Sequence, residues 1–502
     1  MARTKEKPTA IIIGSGFGGL AAAIEMGRAG YDYTVIEKGS DVGGVWRENS
    51  YPGAGCDIPS PLYSFSFDPN PEWPRRFSMQ PDILSYLQNI ATEYGVRDRT
   101  RFDTAVTSAE FDDATGRWRV HTDRGDDIEA DVLVPAVGQL SRPAMPRIPG
   151  LDSFEGAAFH SAQWDHQHDL TGQRVAVIGT GASAVQFVPR IQPTVSELTL
   201  FQRSAPFVLP KPDRTYTRAH HAAFRRLPWT QQIGRGTFWG AGEAMTLGFT
   251  TVPWIGRLMK RIALTHLKVV VRDKALRRKL TPDYPVGCKR ILFSSNYLPS
   301  LTKPNVDVVT DDVVEITPRG VRTAAGREYP VDTIIYGTGF TATEFLAPMK
   351  IVGLDGHELG ESWKDGARAY LGMTVPGFPN MFLMYGPNTN LGAGSIVFMH
   401  ECQARYLSQA MQRLDASQAQ FIDVDCSVEQ RFDTEIQGRV QGGVWTKCNN
   451  WYRNVSGRVS ANWPGTMAEY RDRTEHFEAS EYVFSSAPTS RVPVDTIAPL
   501  QG

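Results

Sequence analysis

Cysteine is scarce in this chain: 502 residues hold five, Cys56, Cys288, Cys402, Cys426 and Cys448. They are scattered and odd in number, and no two form a C-x-x-C pair. That spacing argues against a disulfide framework, against a disulfide reductase, and for a reducing compartment. An excess of charge is also lacking, with 53 Lys and Arg against 54 Asp and Glu. A net charge of -1 gives no overall field to draw the protein to nucleic acid or an anionic membrane. Long apolar runs are missing too. The run after "MARTKEKPTA" breaks at Gly14, too soon for a secretory signal. "GTFWGAGEAMTLGFTTVPWIG", 236–256, is interrupted by Glu243, Pro253 and glycines, so it reads as buried or cleft-lining helix and loop rather than a membrane span. The expectation is a cytoplasmic protein without metal, nucleic acid or stable membrane association.

The length exceeds one ordinary core and suggests about three domains. "TAIIIGSGFGGLAAAIEMGRAG" reads as strand, glycine turn and helix, followed by a second strand, "DYTVIEKG". A similar unit restarts at "GQRVAVIGTGASAVQFVPRIQP" and runs into "SELTLFQRS". Two such units predict an α/β protein with two doubly wound Rossmann-type dinucleotide-binding domains. Between them "ADVLVPAVGQLSRPAMPRIPG" reads as a strand entering a Pro-rich crossover.

In the first unit Gly14, Gly16 and Gly19 have the G-x-G-x-x-G spacing. The first allows a tight turn, the second lets backbone approach a pyrophosphate, and the third lets helix pack on strand. The helix N-terminus adds free N–H groups and partial positive charge. Glu37 ends the next strand, where an acid can bond a ribose diol. In the second unit Gly179, Gly181 and Ala184 occupy the same spacing. Its next strand ends in Gln202, Arg203 and Ser204, and an arginine beside a hydroxyl suits a 2′-phosphate. The first site therefore reads as FAD and the second as NADPH, with oxygen as the remaining acceptor.

On this basis 1–147 and 341–487 form the FAD-binding domain and 148–212 with 285–340 the NADP-binding domain. A helical insertion occupies 213–284, and 488–502 is a flexible tail. "VDTIIYGTGF" marks the return to the flavin domain. The basic stretch "RLMKRIALTHLKVVVRDKALRRKL" in the insertion reads as a solvated helix face, and a long helix is expected over Ile396 to Leu414.

Three further segments carry a resemblance. "FEGAAFHSAQWD", with neither strand alternation nor a helical stripe, has the form F-x-G-x-x-x-H-x-x-x-W-D at Phe154, Gly156, His160 and Trp164. "GGVWRENSYPGAGCD" spans Gly43 to Asp57, and "PVGCKRILFSSNYLPSL" carries Lys289 and Arg290. Together they resemble type I Baeyer–Villiger monooxygenases over about Thr9 to Tyr482, closer to the hydroxyacetophenone and linear-ketone branch than to the cyclohexanone branch.

The resemblance implies an enzyme that uses FAD, NADPH and O2 to form a flavin peroxide, which converts an apolar ketone to an ester or lactone. It implies Arg290 as the fixed cation that steadies the peroxide anion, because arginine stays protonated at any working pH. Asp57 would be its carboxylate partner, Lys289 an NADPH phosphate ligand, and Gly44 and Trp46 neighbours of the flavin. Asn388 and Asn390, ahead of the long helix, are candidate flavin contacts, against loop-capping roles. Trp451 is the candidate to close over the nicotinamide, with Trp463 competing. His160 is expected as a hinge residue rather than a base, with Phe154 and Trp164 as packing anchors and Gly156 a position without room for a side chain. The insertion, "GAGEAMTLGF" included, is expected to line the substrate pocket. Two rivals remain at this point: a flavin-containing monooxygenase acting on amines or sulfides, and a flavin-bearing sensor that does not turn over.

Overall fold

A computed structural model of the chain describes residues 7–417 and 419–485. The proposed tail, 488–502, lies outside the described residues. The apolar runs decide the architecture. Ala10–Ile13 and Val132–Pro135 are buried at every position, and Tyr33–Ile36 at all but one. Runs without a polar face suit parallel strands covered on both sides. They form a sheet in the order Thr100–Arg101, Tyr33–Ile36, Ala10–Ile13, Val132–Pro135, all pairs parallel. Ile13 stands in register with both Ile36 and Pro135. The helix Phe17–Arg28, rich in Ala and Gly, is buried along most of its length and packs against the long helix Ile396–Ala416.

The second sheet has five parallel strands in the order Val306–Val309, Glu197–Phe201, Arg174–Ile178, Thr333–Tyr336, Ala157–His160. Its helix is Ala182–Ile191, whose apolar face meets the core around Val177, Leu200 and Tyr297. A two-stranded parallel ribbon, Val208–Leu209 with Leu292–Phe293, brackets the insertion and brings its two ends together. The insertion itself is helical: Arg218–Arg226, Trp229–Thr250, Pro253–Val270 and Lys274–Lys279. The stretch 236–256 is one helix through Thr250, and Pro253 then opens the next at its first position, where a missing N–H costs nothing. Among the described residues no helix is long and apolar enough to cross a membrane.

Two sequence-based expectations fail here. The segment after Phe154 is not irregular: Ala157–His160 pairs with Thr333–Tyr336 and forms the sheet's edge. Backbone pairing with a neighbour 176 residues away supplies the order that local side-chain alternation does not. The cysteines are not all free either. Cys288 and Cys448 form a disulfide across 160 residues, with their Cα atoms 6.2 Å apart. Sequence distance concealed this, because the chain returns to lay its 445–452 segment beside Cys288. The inference of a reducing compartment from cysteine spacing therefore loses its support. Cys56, Cys402 and Cys426 remain free.

A thiol titration of the denatured chain, without reductant, is expected to count these three thiols and to reach five only after reduction. Five before reduction would show that the pair does not form.

Candidate active site

Both glycine turns leave the carboxyl ends of their strands and open on one cavity of about 1350 Å³. Doubly wound sheets bind ligands at that edge. At the first turn Gly14 has φ +101°, and a Cβ there would meet the Ala136 carbonyl oxygen at 2.7 Å. A Cβ on Gly19 would lie 1.9 Å from the Gly14 carbonyl oxygen, so helix and turn pack with no room for a side chain. Gly16 faces Gly44 across the cleft floor. Glu37 is buried; one carboxylate oxygen accepts from the Ser15 N–H (2.9 Å) and hydroxyl (2.7 Å), the other from the Gly39 N–H. The second turn repeats the geometry: Gly179 has φ +114°, Gly181 caps the helix, and Ala184 is buried against it.

The edges of the two turns differ in charge. Beside the second, Lys289 donates 2.6 Å to the Ser204 hydroxyl, and Arg203 stands exposed next to them. Burial and the Arg203 charge both lower the Lys289 pKa. Neither cation forms an ion pair among the described residues. Two adjacent cations and a hydroxyl without a carboxylate between them could hold a phosphate. Beside the first turn the carboxylate of Glu37 would repel a phosphate at that place. The residues present thus fit two dinucleotides of different ribose chemistry.

The segment Gly43–Asp57 crosses from one unit to the other. Trp46 donates from its indole to the Tyr63 hydroxyl at 3.1 Å. Tyr51 donates to the side chain of Gln186, on the helix of the second unit, and Gln186 donates back to the Gly55 carbonyl at 2.8 Å. Lys211, just after the ribbon strand Val208–Leu209, donates to the Cys56 carbonyl (2.8 Å) and pairs with Asp57 at 3.2 Å. Asp57 is therefore pinned by a lysine of the other unit, and its side chain is only 8 % exposed.

Arg290 lines the same cavity just before the partner ribbon strand. It makes no hydrogen bond and no ion pair among the described residues. Burial works against its charge, but Asp57 leads a group of neighbours, with Tyr452, Tyr385 and Cys56, that outweighs it and raises the pKa above arginine's ordinary value. Burial pushes Tyr452 up to about 12 and raises Tyr385 as well, so both phenols are neutral near pH 7. Asp57 is then the neighbour that favours Arg290's charge.

The structure separates other residues that the sequence had grouped. Asn388 does not line the cavity; its amide clamps the carbonyls of Val459 and Asn462. Asn390 does line it and accepts from the Tyr385 hydroxyl at 2.7 Å. Trp451 lines the cavity, whereas Trp463 is buried behind it and donates to the Thr466 carbonyl. His160 stands outside the cavity wall at the end of its edge strand, level with Tyr336, and its Nδ1 accepts from the Ala162 N–H. Burial lowers its pKa, leaving the ring neutral at pH 7. Phe154 packs into the core of the second sheet, a Cβ on Gly156 would meet the Asp332 carbonyl oxygen, and Trp164 packs edge-on to Phe159 and beside Phe187.

The insertion does not line the cavity as expected: within 213–284 only Tyr284 does. Its helix Trp229–Thr250 instead buttresses the wall from behind, Gly242 against Gly394 and Phe249 against Gly392. Lys211, Gln186 and Tyr385 were missed by sequence reasoning. Lys211 sits in "PFVLPKPDR", where the change of character hid any sign of a site residue.

These features define a two-dinucleotide oxidoreductase, and comparison with known proteins narrows the class. A family profile described as pyridine nucleotide-disulphide oxidoreductase matches residues 11–217. A Baeyer–Villiger monooxygenase of Streptomyces coelicolor is 46% identical over 95% of this chain and 93% of its own length. One from Pseudomonas aeruginosa is 43% identical over 95% and 91%. Among solved structures, an oxidized steroid monooxygenase bound to NADP matches with a TM-score of 0.85 and 31% identity, over 96% of this chain and 100% of that one. A closed cyclohexanone monooxygenase has the same TM-score and coverage at 26% identity. The chain belongs to the Baeyer–Villiger monooxygenase family. Its disulfide lies outside the profile's match and outside the cavity wall.

Adenosine 2′,5′-bisphosphate is expected to bind the cluster at the second turn. Arg203→Ala should weaken it roughly tenfold to a hundredfold, the size of a lost charge-assisted hydrogen bond, and leave 5′-AMP nearly unchanged. Equal losses for both ligands by calorimetry would contradict the phosphate assignment.

Proposed function

We propose that the protein is an FAD- and NADPH-dependent Baeyer–Villiger monooxygenase of apolar ketones, acting in the cytoplasm. With FAD and NADPH bound, the flavin would supply the reduction of O2, so that one oxygen atom enters beside the ketone carbonyl to give an ester or lactone and the other leaves as water. The observation that carries this reading is Arg290: a cation without a direct partner, inside the cavity that both glycine turns share.

The chain's own groups divide the work. The turn Gly14–Gly19 with Gly44 and Trp46 would cradle the flavin nucleotide, and Glu37 would bond its ribose. Gly179, Gly181 and Ala184 would receive the second pyrophosphate, while Arg203, Ser204 and Lys289 would hold the 2′-phosphate. Arg290 offers its N–H groups to the negative charge that develops during oxygen transfer. It is already in place, so no reorganisation is needed at that moment. Asp57 keeps Arg290 charged and oriented, and Lys211 limits how closely Asp57 approaches. Trp451 covers the reacting region. Ile58, Met384 and Leu391 on the cavity wall suit an apolar substrate.

His160 acts at a distance. Its edge strand is hydrogen-bonded to Thr333–Tyr336, which runs directly into cavity residues Gly337 to Phe340, and its ring lies 6.0 Å from that of Phe340. It couples the occupancy of the second turn to the junction between units, a gating role.

Arg290→Ala is expected to leave anaerobic flavin reduction by NADPH within a few-fold of wild type. Ester formation should fall by about two to three orders of magnitude, as when a preorganised charge-stabilising donor is removed. Stopped-flow absorbance and mass analysis of products separate the two steps; ester at the wild-type rate would overturn the assignment.

A further inference from the structure

The balanced charge of the chain conceals a strong asymmetry. The insertion, 213–284, holds 14 Lys and Arg against Asp213, Glu243, Asp273 and Asp283. Its net charge is +10, leaving -11 on the rest of a chain whose total is -1. The helix Pro253–Val270 concentrates this pattern. Its inner face buries Gly256, Met259, Ala263 and Leu267, and it carries no acidic residue.

The outer face has two parts. Trp254, Leu258, Ile262 and Val269 are 58%, 48%, 44% and 69% exposed. At 100° per residue they fall within an arc of about 80°, a continuous apolar stripe about 22 Å long. Arg257, Lys260, Arg261 and Lys268 occupy the adjoining arc, all exposed, and with Leu264 and Thr265 they form a shallow groove. None of the four makes an ion pair or hydrogen bond among the described residues. None of this helix lines the catalytic cavity, so the reaction leaves the face unexplained.

The chemistry of the face selects its partner. A second copy meeting it face to face would set one cationic stripe against another. A nucleic acid would satisfy the cations but give the apolar stripe nothing to bury in, because its outer surface is phosphate. An anionic lipid surface answers both parts, with phosphates for the cations and an acyl boundary for the stripe. We propose that the helix Pro253–Val270 docks the enzyme flat on an anionic membrane surface, with Trp254, Leu258 and Ile262 at headgroup depth. The attachment is peripheral and reversible, and it is independent of the catalytic reading above.

The test is co-sedimentation of full-length holoenzyme with phosphatidylcholine vesicles, with or without 30% phosphatidylserine, at about 0.1 M salt. The partition coefficient is expected to be at least tenfold higher with phosphatidylserine. Lys260→Glu/Arg261→Glu should abolish that gain. Trp254→Ser/Leu258→Ser should lower it at least fivefold, with circular dichroism and ketone turnover in solution unchanged for both variants. Equal partition on the two vesicle types would overturn the proposal. So would full binding by the Trp254/Leu258 variant, which would reduce the effect to charge adsorption. Dimerisation lost in that variant, or equally tight binding to a duplex oligonucleotide lost in the charge variant, would reassign the face to a second copy or to nucleic acid.

Discussion

A partnerless cation inside a protein is costly, and the arrangement around Arg290 is what makes one tolerable here. Removing an arginine from water without a counter-charge disfavours folding, and a direct salt bridge would restore stability but occupy the guanidinium. The structure takes an intermediate course. Asp57 stabilises the charge of Arg290 without forming an ion pair with it, because the carboxylate already holds Lys211 at 3.2 Å. Arg290 keeps its charge and its free donors, and faces a cavity in which negative charge can develop. Removing Asp57 would leave two cations of the second unit, Lys211 and Arg290, without their shared carboxylate.

That constraint explains why the two nucleotide units are joined as they are. Lys211 and Arg290 flank the ribbon Val208–Leu209/Leu292–Phe293, so both cations move with the second unit. Asp57 belongs to the first, held in place through Tyr51, Gln186 and Lys211. The distance between Asp57 and Arg290 is thus set by how the units dock. The Cys288–Cys448 disulfide closes a further loop two residues from Arg290 and three from Trp451, fixing the cation's segment to that of Trp451. By chain entropy alone a loop of this length contributes about 5 kcal/mol.

Much of this was legible in the sequence where the chemistry is local. Gly14, Gly16 and Gly19 between an apolar run and an Ala-rich helix need no tertiary context, and the parallel sheets follow from runs without a polar face. The place of Arg203 and Ser204 beside the second turn was readable because the end of a strand has a fixed relation to its turn. What failed depended on pairing across the chain. The strand Ala157–His160 is ordered by a neighbour far away in sequence, and Cys288 meets Cys448 only after the chain has returned to the first unit. Asn388 and Asn390 are two residues apart, yet one clamps a loop and the other lines the cavity, because Asn388 sits at φ +54° and turns its amide inward. The insertion was misread as a cavity wall because a helix that supports a wall has the same apolar composition as one that forms it.

The central claim is that Asp57 tunes Arg290 across the docked units and is not merely a structural acid beneath it. The most direct test is the yield of ester per NADPH oxidised in Asp57→Asn holoenzyme, an uncharged substitution that keeps the side chain's shape. NADPH oxidation should continue within a few-fold of wild type while the ester yield per NADPH falls at least tenfold, the remaining oxygen appearing as hydrogen peroxide. An unchanged yield would contradict the account.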